Sequence, residues 1–327
     1  MLILDDAQVD ALITPEAASA LAAEAFRAHA ARRFPAPGRL ALKQASPPAG
    51  ALVLAGLGDG ADLVVKANIH GWPEGHAAPR RTASLLSLWD TQSALPRALL
   101  AAAAFNDHRT AGGLAAAAAL LAPPNPTRLA LFGAGKIARA ALRAMAQAYP
   151  LTEVRIVSRT RARAQALAAE HRTAAARIEA MDDPAEAVRG ADILLCATSA
   201  ETPVFPGDQV RDGALVLLAG ATRGDAREAD DRLMRRALVW ADDAEDGLAK
   251  GGDIRLALAS GALSADRWRG EIGLLAAPLQ ADGRVRVFKS IGIAPQDLLL
   301  ARHVVARAEA RGIGLRHRMF GEWEPDT

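Results

Sequence analysis

The stretch Leu129-Ala-Leu-Phe-Gly-Ala-Gly-Lys-Ile-Ala138 constrains this chain more than any other. Leu129–Phe132 reads as a short buried strand, Gly133-Ala-Gly135 as a tight turn, and Lys136 to Ala148 has helical periodicity. The spacing is G-x-G-x-x-A: Gly133 permits the turn, Gly135 lets backbone approach a pyrophosphate, and Ala138 lets helix pack on strand. The opening N–H groups of such a helix lack intrahelical partners and carry a partial positive charge, which suits phosphate. Gly133, Ala134, Gly135, Lys136 and Ile137 are therefore candidate cofactor-binding residues. In a chain with 27 glycines the motif alone means little; its position between a predicted strand and a predicted helix gives it weight.

The residues around this turn repeat a pattern. Predicted strands at Leu129–Phe132, Glu153–Val157, Ile193–Ala197, Leu215–Leu218 and Leu238–Trp240 alternate with helices beginning near Lys136, Thr160, Pro184 and Arg227. Short links between them predict an α/β, doubly wound parallel sheet. A strand over Arg284–Lys289 and a long helix over Ala294–Arg311 follow. Upstream the signal differs. An amphipathic helix is predicted over Pro15–Arg33, with Thr14 as its N-cap. Short strands then follow at Arg39–Lys43, Ala51–Ala55, Leu63–Ala67, Ser84–Trp89 and Pro96–Ala101, punctuated as in a meander, with His70–Pro79 as a loop. A small-residue helix from Arg109 to Leu121 ends at Pro123-Pro-Asn-Pro126, which marks a break between the two regimes.

The second strand of a dinucleotide fold ends on an acidic residue when it binds the 2′-hydroxyl of NAD. Here Val154-Arg-Ile-Val157 runs into Ser158-Arg159-Thr160-Arg161, with no carboxylate. Arg159 can grip a 2′-phosphate and stack on adenine, and Ser158 and Thr160 add hydroxyl donors. That selects NADPH, with NADH as the alternative; the plainer reading of these arginines is a solvated pair opening the next helix.

Composition excludes other classes. At 327 residues and 51% apolar the chain can bury two cores. A net charge of +2 without a basic block argues against nucleic acid as partner. The single cysteine, Cys196, cannot form an internal disulfide and fits a reducing compartment. Apolar runs such as Leu114–Ala122 are too short to span a bilayer, and no signal peptide is evident, so a soluble cytoplasmic protein without membrane association is expected. The seven histidines lack ligand spacing, so no metal is expected.

A second set of residues carries a family resemblance. Arg39 and Lys66 precede His108-Arg-Thr-Ala111 just upstream of the glycine turn. Asp225-Ala-Arg-Glu228, the acidic segment Asp242 to Asp253 and Val287-Phe-Lys-Ser-Ile-Gly-Ile-Ala-Pro-Gln-Asp297 follow. In combination these resemble the ornithine cyclodeaminase/mu-crystallin family along nearly the whole chain, and within it the ketimine and Δ1-pyrroline-2-carboxylate reductases. The resemblance implies that the Rossmann-type sheet, residues 112–291, is inserted into a second α+β domain. That domain, residues 1–111 with 292–327, would bind substrate and form a homodimer.

The resemblance also assigns residues. Arg39, Lys66 and Arg109 would hold the carboxylate of a small imino or amino acid between the domains, Arg as a planar fork and Lys as a movable point charge. From the residues alone, Arg39 is also readable as a solvated strand residue. Lys66, in Leu63-Val-Val-Lys66, is likewise readable as the solvent-facing lysine of a sheet. His108, beside Arg109, reads as packing at the helix start. The match puts Thr110, Thr198, Ala219, Lys289 and Ser290 beside the cofactor and Glu245 beside the substrate, although Glu245 also suits a solvated acidic loop. Trp72 is a candidate to shape the pocket. True cyclodeaminases carry an aspartate six residues before the matching glutamate; here that position is Thr222, whose hydroxyl orients a substrate nitrogen or a water but is no carboxylate base.

The expected function is therefore NADPH-dependent reduction of cyclic ketimine carboxylates, such as Δ1-pyrroline-2-carboxylate or Δ1-piperideine-2-carboxylate, to proline or pipecolate. Lys66, Arg109 and Thr222 are the expected catalytic residues. Ornithine cyclodeamination, an alanine-dehydrogenase-like oxidation, and non-catalytic binding of NADPH with a small ligand are the alternatives.

Overall fold

The computed structural model describes residues 1–45, 49–71, 81–220 and 223–320. In chain order its first elements are β1 (Leu2–Leu4), α1 (Asp6–Leu12), α2 (Pro15–Ala30), β2 (Leu40–Gln44), β3 (Ala49–Leu57), β4 (Asp62–Gly71), β5 (Arg81–Asp90), β6 (Leu95–Ala101) and α3 (Ala103–Leu121). There follow β7 (Arg128–Phe132), α4 (Lys136–Ala148), β8 (Glu153–Val157), α5 (Arg161–Glu170), β9 (Arg177–Met181), α6 (Pro184–Val188), β10 (Ile193–Cys196) and β11 (Leu215–Leu218). The last are α7 (Asp231–Met234), β12 (Ala237–Ala241), α8 (Ala244–Lys250), α9 (Gly252–Ala259), β13 (Trp268–Glu271), β14 (Val285–Lys289), α10 (Ala294–Arg311) and β15 (Leu315–Arg316).

These elements form two compact units, one of residues 1–14, 31–106 and 293–327, the other of 15–30 and 107–292. The divisions fall after Asn106 and Gly292, close to the expected 111/112 and 291/292. The helix α2 groups with the second unit rather than with the N-terminal sheet, because its Phe26 packs edge-on against Phe288 of β14, 5.8 Å between centroids.

In the first unit β2 to β6 form the expected antiparallel meander, extended by β1 and β15 in the order β15-β1-β6-β5-β4-β3-β2. Cross-strand partners share a face, so the register sorts the residues. One face carries Leu54, Val64, Lys66, Leu86, Leu88, Ala98 and Leu100, all buried, and α10 packs on it. α10 presents Leu298, Ala301, Val304, Val305 and Ala308, also buried; each such Leu or Val is worth about 1.5–3 kcal/mol. Pro295 suits its first turn and Gly312, at φ 64°, ends it in the left-handed conformation. The opposite face carries Leu40, Leu42, Leu57, Ile69 and Leu85, each 43–55% exposed.

The second unit is an eight-stranded, wholly parallel sheet ordered β13-β12-β14-β11-β10-β7-β8-β9. Chain order reverses between β7 and β10, which makes their carboxyl ends the switch point where ligands bind in open α/β sheets. The interior strands β10, β11, β12 and β14 are buried along their whole length, as parallel strands covered on both faces must be.

Several elements differ from expectation. The small-residue helix begins at Ala103, so Arg109 and His108 sit in its second turn rather than at its start. The helix expected near Arg227 begins at Asp231, where Asp230 caps the Leu233 N–H; Arg227 to Ala229 instead form a loop in which Glu228 and Ala229 are buried. The strands β1, β9, β13 and β15 and the helices α1, α8 and α9 were not expected. Of the loop over His70–Pro79, His70 and Gly71 extend β4, while the remainder, including Trp72, lies outside the described residues. Among the described residues no helix is long and apolar enough to cross a membrane.

Candidate active site

At the carboxyl edge of the second unit's sheet, the turn after β7 is built as its sequence requires. Gly133 has φ +109°, and a Cβ on it would stand 3.0 Å from the Ala197 carbonyl carbon. Only glycine satisfies both the left-handed backbone and this approach between the turns after β7 and β10. Gly135 opens α4 as its N-cap, with no atom within 4 Å of where a Cβ would stand. The exposed Gly135 and Lys136 begin a 13-residue helix, and Ala138 is fully buried where it packs. Backbone free of side chain at a helix N-terminus fits a pyrophosphate. Ser158, Arg159 and Thr160 form the link from β8 to α5; Arg159 and Thr160 are exposed, and the Ser158 hydroxyl accepts from the Thr160 N–H at 3.4 Å.

Next to this turn lies an arrangement the sequence did not disclose. Glu228, fully buried, accepts the Thr198 N–H and hydroxyl on Oε1, both at 2.8 Å, and the Gly220 N–H on Oε2 at 2.8 Å. It thereby holds together the loops that leave β10 and β11. Burial pushes its carboxyl above the ordinary value, and neighbouring Asp253 adds to that, while Lys289 and the Thr198 bonds pull against it. Asp253 in turn accepts the N–H groups of Glu228 and Ala229 at 2.7 and 2.9 Å. Its other oxygen is 2.8 Å from the Lys289 ammonium, and both side chains are fully buried. Lys289 also donates to the Gly220 carbonyl. Lys289 was expected to touch the cofactor; its ammonium is instead committed to this brace.

Ser290 is similarly committed. Its hydroxyl donates to Asp242 at 3.3 Å. Asp242, 1% exposed and directly after β12, also takes the Ile291 N–H on both oxygens and the Gly292 N–H at 2.7 Å. Arg109, from α3, packs against this turn: a Cβ on Gly292 would stand 2.8 Å from its Cζ and nearer still to Nη1. Thr110 beside it is half-buried, Ala219 continues the β11 ladder by donating to the Cys196 carbonyl at 2.8 Å, and Glu245 is exposed in the first turn of α8. Cys196 itself is fully buried, and burial pushes its thiol well above the ordinary range, so it is unreactive.

In the first unit Lys66 lies on the face of β4 that α10 covers, 1% exposed, with its ammonium 2.7 Å from Asp297. The solvent-facing reading of this lysine is thus replaced by a buried ion pair. Two residues along the same face, the Asn68 side-chain oxygen accepts from the Ser84 hydroxyl at 2.6 Å and the Asn106 amide at 3.1 Å. Arg39 is half-buried and directly precedes β2. Thr222 lies outside the described residues. Among the described residues no three His, Cys, Asp or Glu side chains converge as metal ligands would.

Glu228, Asp253, Asp242 and Asp297 are the residues the sequence reading left without a role. Asp253 and Asp297 each carry a hint in retrospect: a single acid beside apolar helix residues (Ile254, Leu256; Leu298, Leu299, Leu300) calls for a buried cation. Asp242 sits in a run of acids that reads as a solvated loop, and nothing local distinguishes it.

The profile of the ornithine cyclodeaminase/mu-crystallin family matches residues 2–312. The ketimine reductase mu-crystallin of Mus musculus is 35% identical over 234 residues, 71% of this chain and 72% of that one. A Δ1-pyrroline-2-carboxylate reductase of Paracoccus denitrificans is 36% identical over 203 residues, 61% of this chain and 64% of that one. Among solved structures, the Δ1-pyrroline-2-carboxylate reductase of Thermococcus litoralis, determined with NADH and L-proline, superposes with a TM-score of 0.89 at 24% identity, covering 97% of this chain and all of the other.

Proposed function

Because this chain belongs to the ornithine cyclodeaminase/mu-crystallin family, we propose that it is an NADPH-dependent reductase of cyclic ketimine carboxylates, with Δ1-pyrroline-2-carboxylate and Δ1-piperideine-2-carboxylate as substrates and proline and pipecolate as products. It is an oxidoreductase acting on C=N bonds with NAD(P)H. The observation that carries the reading within the family is position 222, where a threonine replaces the carboxylate that loss of ammonia requires. The two relatives at 35% and 36% identity are both reductases, which supports the same choice.

In this reading Gly133, Ala134, Gly135, Lys136 and Ile137 hold the pyrophosphate, and Ser158, Arg159 and Thr160 the 2′-phosphate. The cofactor supplies a hydride to the imine carbon when bound. Glu228 fixes the loops at Thr198 and Gly220, so that Thr198 and Ala219 face the nicotinamide end without rearranging. Arg39, Lys66 and Arg109 bind the substrate carboxylate, and Thr222 orients the ring nitrogen or a water. A protonated cyclic imine carries its proton before reaction; hydride addition then gives the neutral secondary amine, which takes a second proton from water. The residues thus supply orientation and charge complementarity more than acid catalysis.

The same reading makes the protein a cytoplasmic homodimer. The open face of the first unit's sheet carries Leu40, Leu42, Val53, Leu57, Val65, Ile69 and Leu85, with Arg81 at one end of β5. Apolar surface of this extent marks an interface, and a self-complementary apolar face suits a second copy of the same chain.

The test is NADPH absorbance with a panel of cyclic imino acids, ornithine, and pyruvate with ammonia. NADPH oxidation by the cyclic imines is expected; ammonia release from ornithine without net NADPH change would overturn the reading, and tight NADPH binding without turnover of any substrate would make the protein a binder.

A further inference from the structure

The turn Ser290-Ile-Gly292 is held unusually firmly for a loop. Asp242 is nearly inaccessible and spends both carboxylate oxygens on it: two N–H groups, at 2.7–3.0 Å, and the Ser290 hydroxyl, at 3.3 Å. Such charge-assisted bonds to backbone fix the position of the turn. Gly292 stands at φ +88°, a conformation that other residues rarely adopt, and the side of its α-carbon where a Cβ would project is filled by the Arg109 guanidinium. The guanidinium is a rigid plane about 2.8 Å from that point at both Cζ and Nη2. It therefore has no room to accept a methyl group except by turning its whole fork.

We propose that Asp242 and Gly292 are positioning residues for substrate recognition: Asp242 pins the turn, and the bare α-carbon of Gly292 is the wall that sets the aim of the Arg109 fork at a carboxylate. This rests on the proposed function, in which Arg109 binds the substrate carboxylate. Bidentate recognition depends on the plane of the guanidinium, and a displacement of roughly 1 Å can cost about a hundredfold in a positioned reaction. Neither residue touches the substrate in this scheme.

A double-mutant cycle separates this from a merely structural effect. Pyrrole-2-carboxylate is the probe, titrated against the NADPH-loaded protein by nicotinamide fluorescence, or read as kcat/KM for Δ1-pyrroline-2-carboxylate where binding is too weak to titrate. Gly292→Ala is expected to weaken the probe by about tenfold or more, with NADPH affinity unchanged. In the Arg109→Lys background, which lacks the guanidinium atoms that collide, the same substitution is expected to cost less than about threefold. Backbone strain at Gly292 is present in both backgrounds and cancels. Asp242→Asn, which turns an amide donor toward the N–H groups, runs through the same cycle and decides the matter if Gly292→Ala does not fold. Equal losses in both backgrounds would overturn the inference alone. Failure of the unaltered protein to bind the probe or reduce the imine would remove the proposed function, and this inference with it.

Discussion

Lys66 and Asp297 form an ion pair with both side chains 1% exposed, Nζ to Oδ1 2.7 Å, tying β4 to the first turn of α10. In an apolar strand the ammonium must find such a partner or lose its charge. Removing the carboxylate from a buried pair costs far more than the pair itself contributes. Asp297→Ala should therefore destabilise the protein by about 3 kcal/mol, while Lys66→Met combined with Asp297→Leu should recover much of the loss. Chemical denaturation measures both. An Asp297→Ala protein as stable as the unaltered one would show that the pair does not hold the helix.

Arg159 is exposed at the carboxyl end of β8, where a 2′-phosphate would lie. A charge-assisted bond is worth about 1.5–3 kcal/mol, so Arg159→Ala should weaken NADPH by roughly 10- to 100-fold. NADH affinity should stay unchanged, as fluorescence titration of both cofactors would reveal. Equal losses for the two would assign Arg159 to adenine stacking, and no loss for either would leave it as a surface residue.

Glu228 predicts a pH dependence. Its folded carboxyl sits above the ordinary value of 4.5, chiefly because it is buried. Below that value folded and unfolded chains both carry the proton. As the pH rises the unfolded chain ionises first, so the native state binds the extra proton and stability declines until the folded carboxyl also ionises. Stability measured by urea denaturation should therefore fall with rising pH across the window just above 4.5, and Glu228→Gln should flatten that part of the profile. A profile unchanged by the substitution would mean that the folded carboxyl of Glu228 ionises like that of the unfolded chain, so that burial does not raise it.

How much of this was written in the sequence varies with the range of the interaction. The glycine turn was legible because its constraints are local: a left-handed φ, a bare backbone and a small residue one helical turn on. The helix over Ala294–Arg311 was equally legible, from proline at its start and periodic apolar residues along it. The start of α3 was not, since Ala103 to Asn106 carries no cap signal and the Arg-Thr motif draws attention downstream. Nor was the face on which Lys66 lies: alternation in Leu63-Val-Val-Lys66 permits either face, and only the pairing register and the covering helix decide it. The brace of Glu228, Asp253 and Lys289 joins residues 25 and 36 positions apart, which no local pattern encodes.

The open sheet face makes its own prediction. Leu42→Glu with Ile69→Glu places two carboxylates at positions now 55% and 49% exposed on β2 and β4. Like charges meeting across a two-fold axis should abolish the dimer at micromolar concentrations, as sedimentation would reveal, without unfolding the monomer. Were the unaltered protein itself monomeric, the face would belong to another partner.

The central claim is the reduction of a cyclic imino acid, and stoichiometry tests it most directly. Mixed with NADPH and Δ1-pyrroline-2-carboxylate, the protein should form one proline for each NADPH oxidised, and Arg109→Ala should lose most of that turnover while keeping its NADPH affinity. NADPH held tightly with no proline formed, or proline and ammonia released from ornithine with no net change in NADPH, would contradict it.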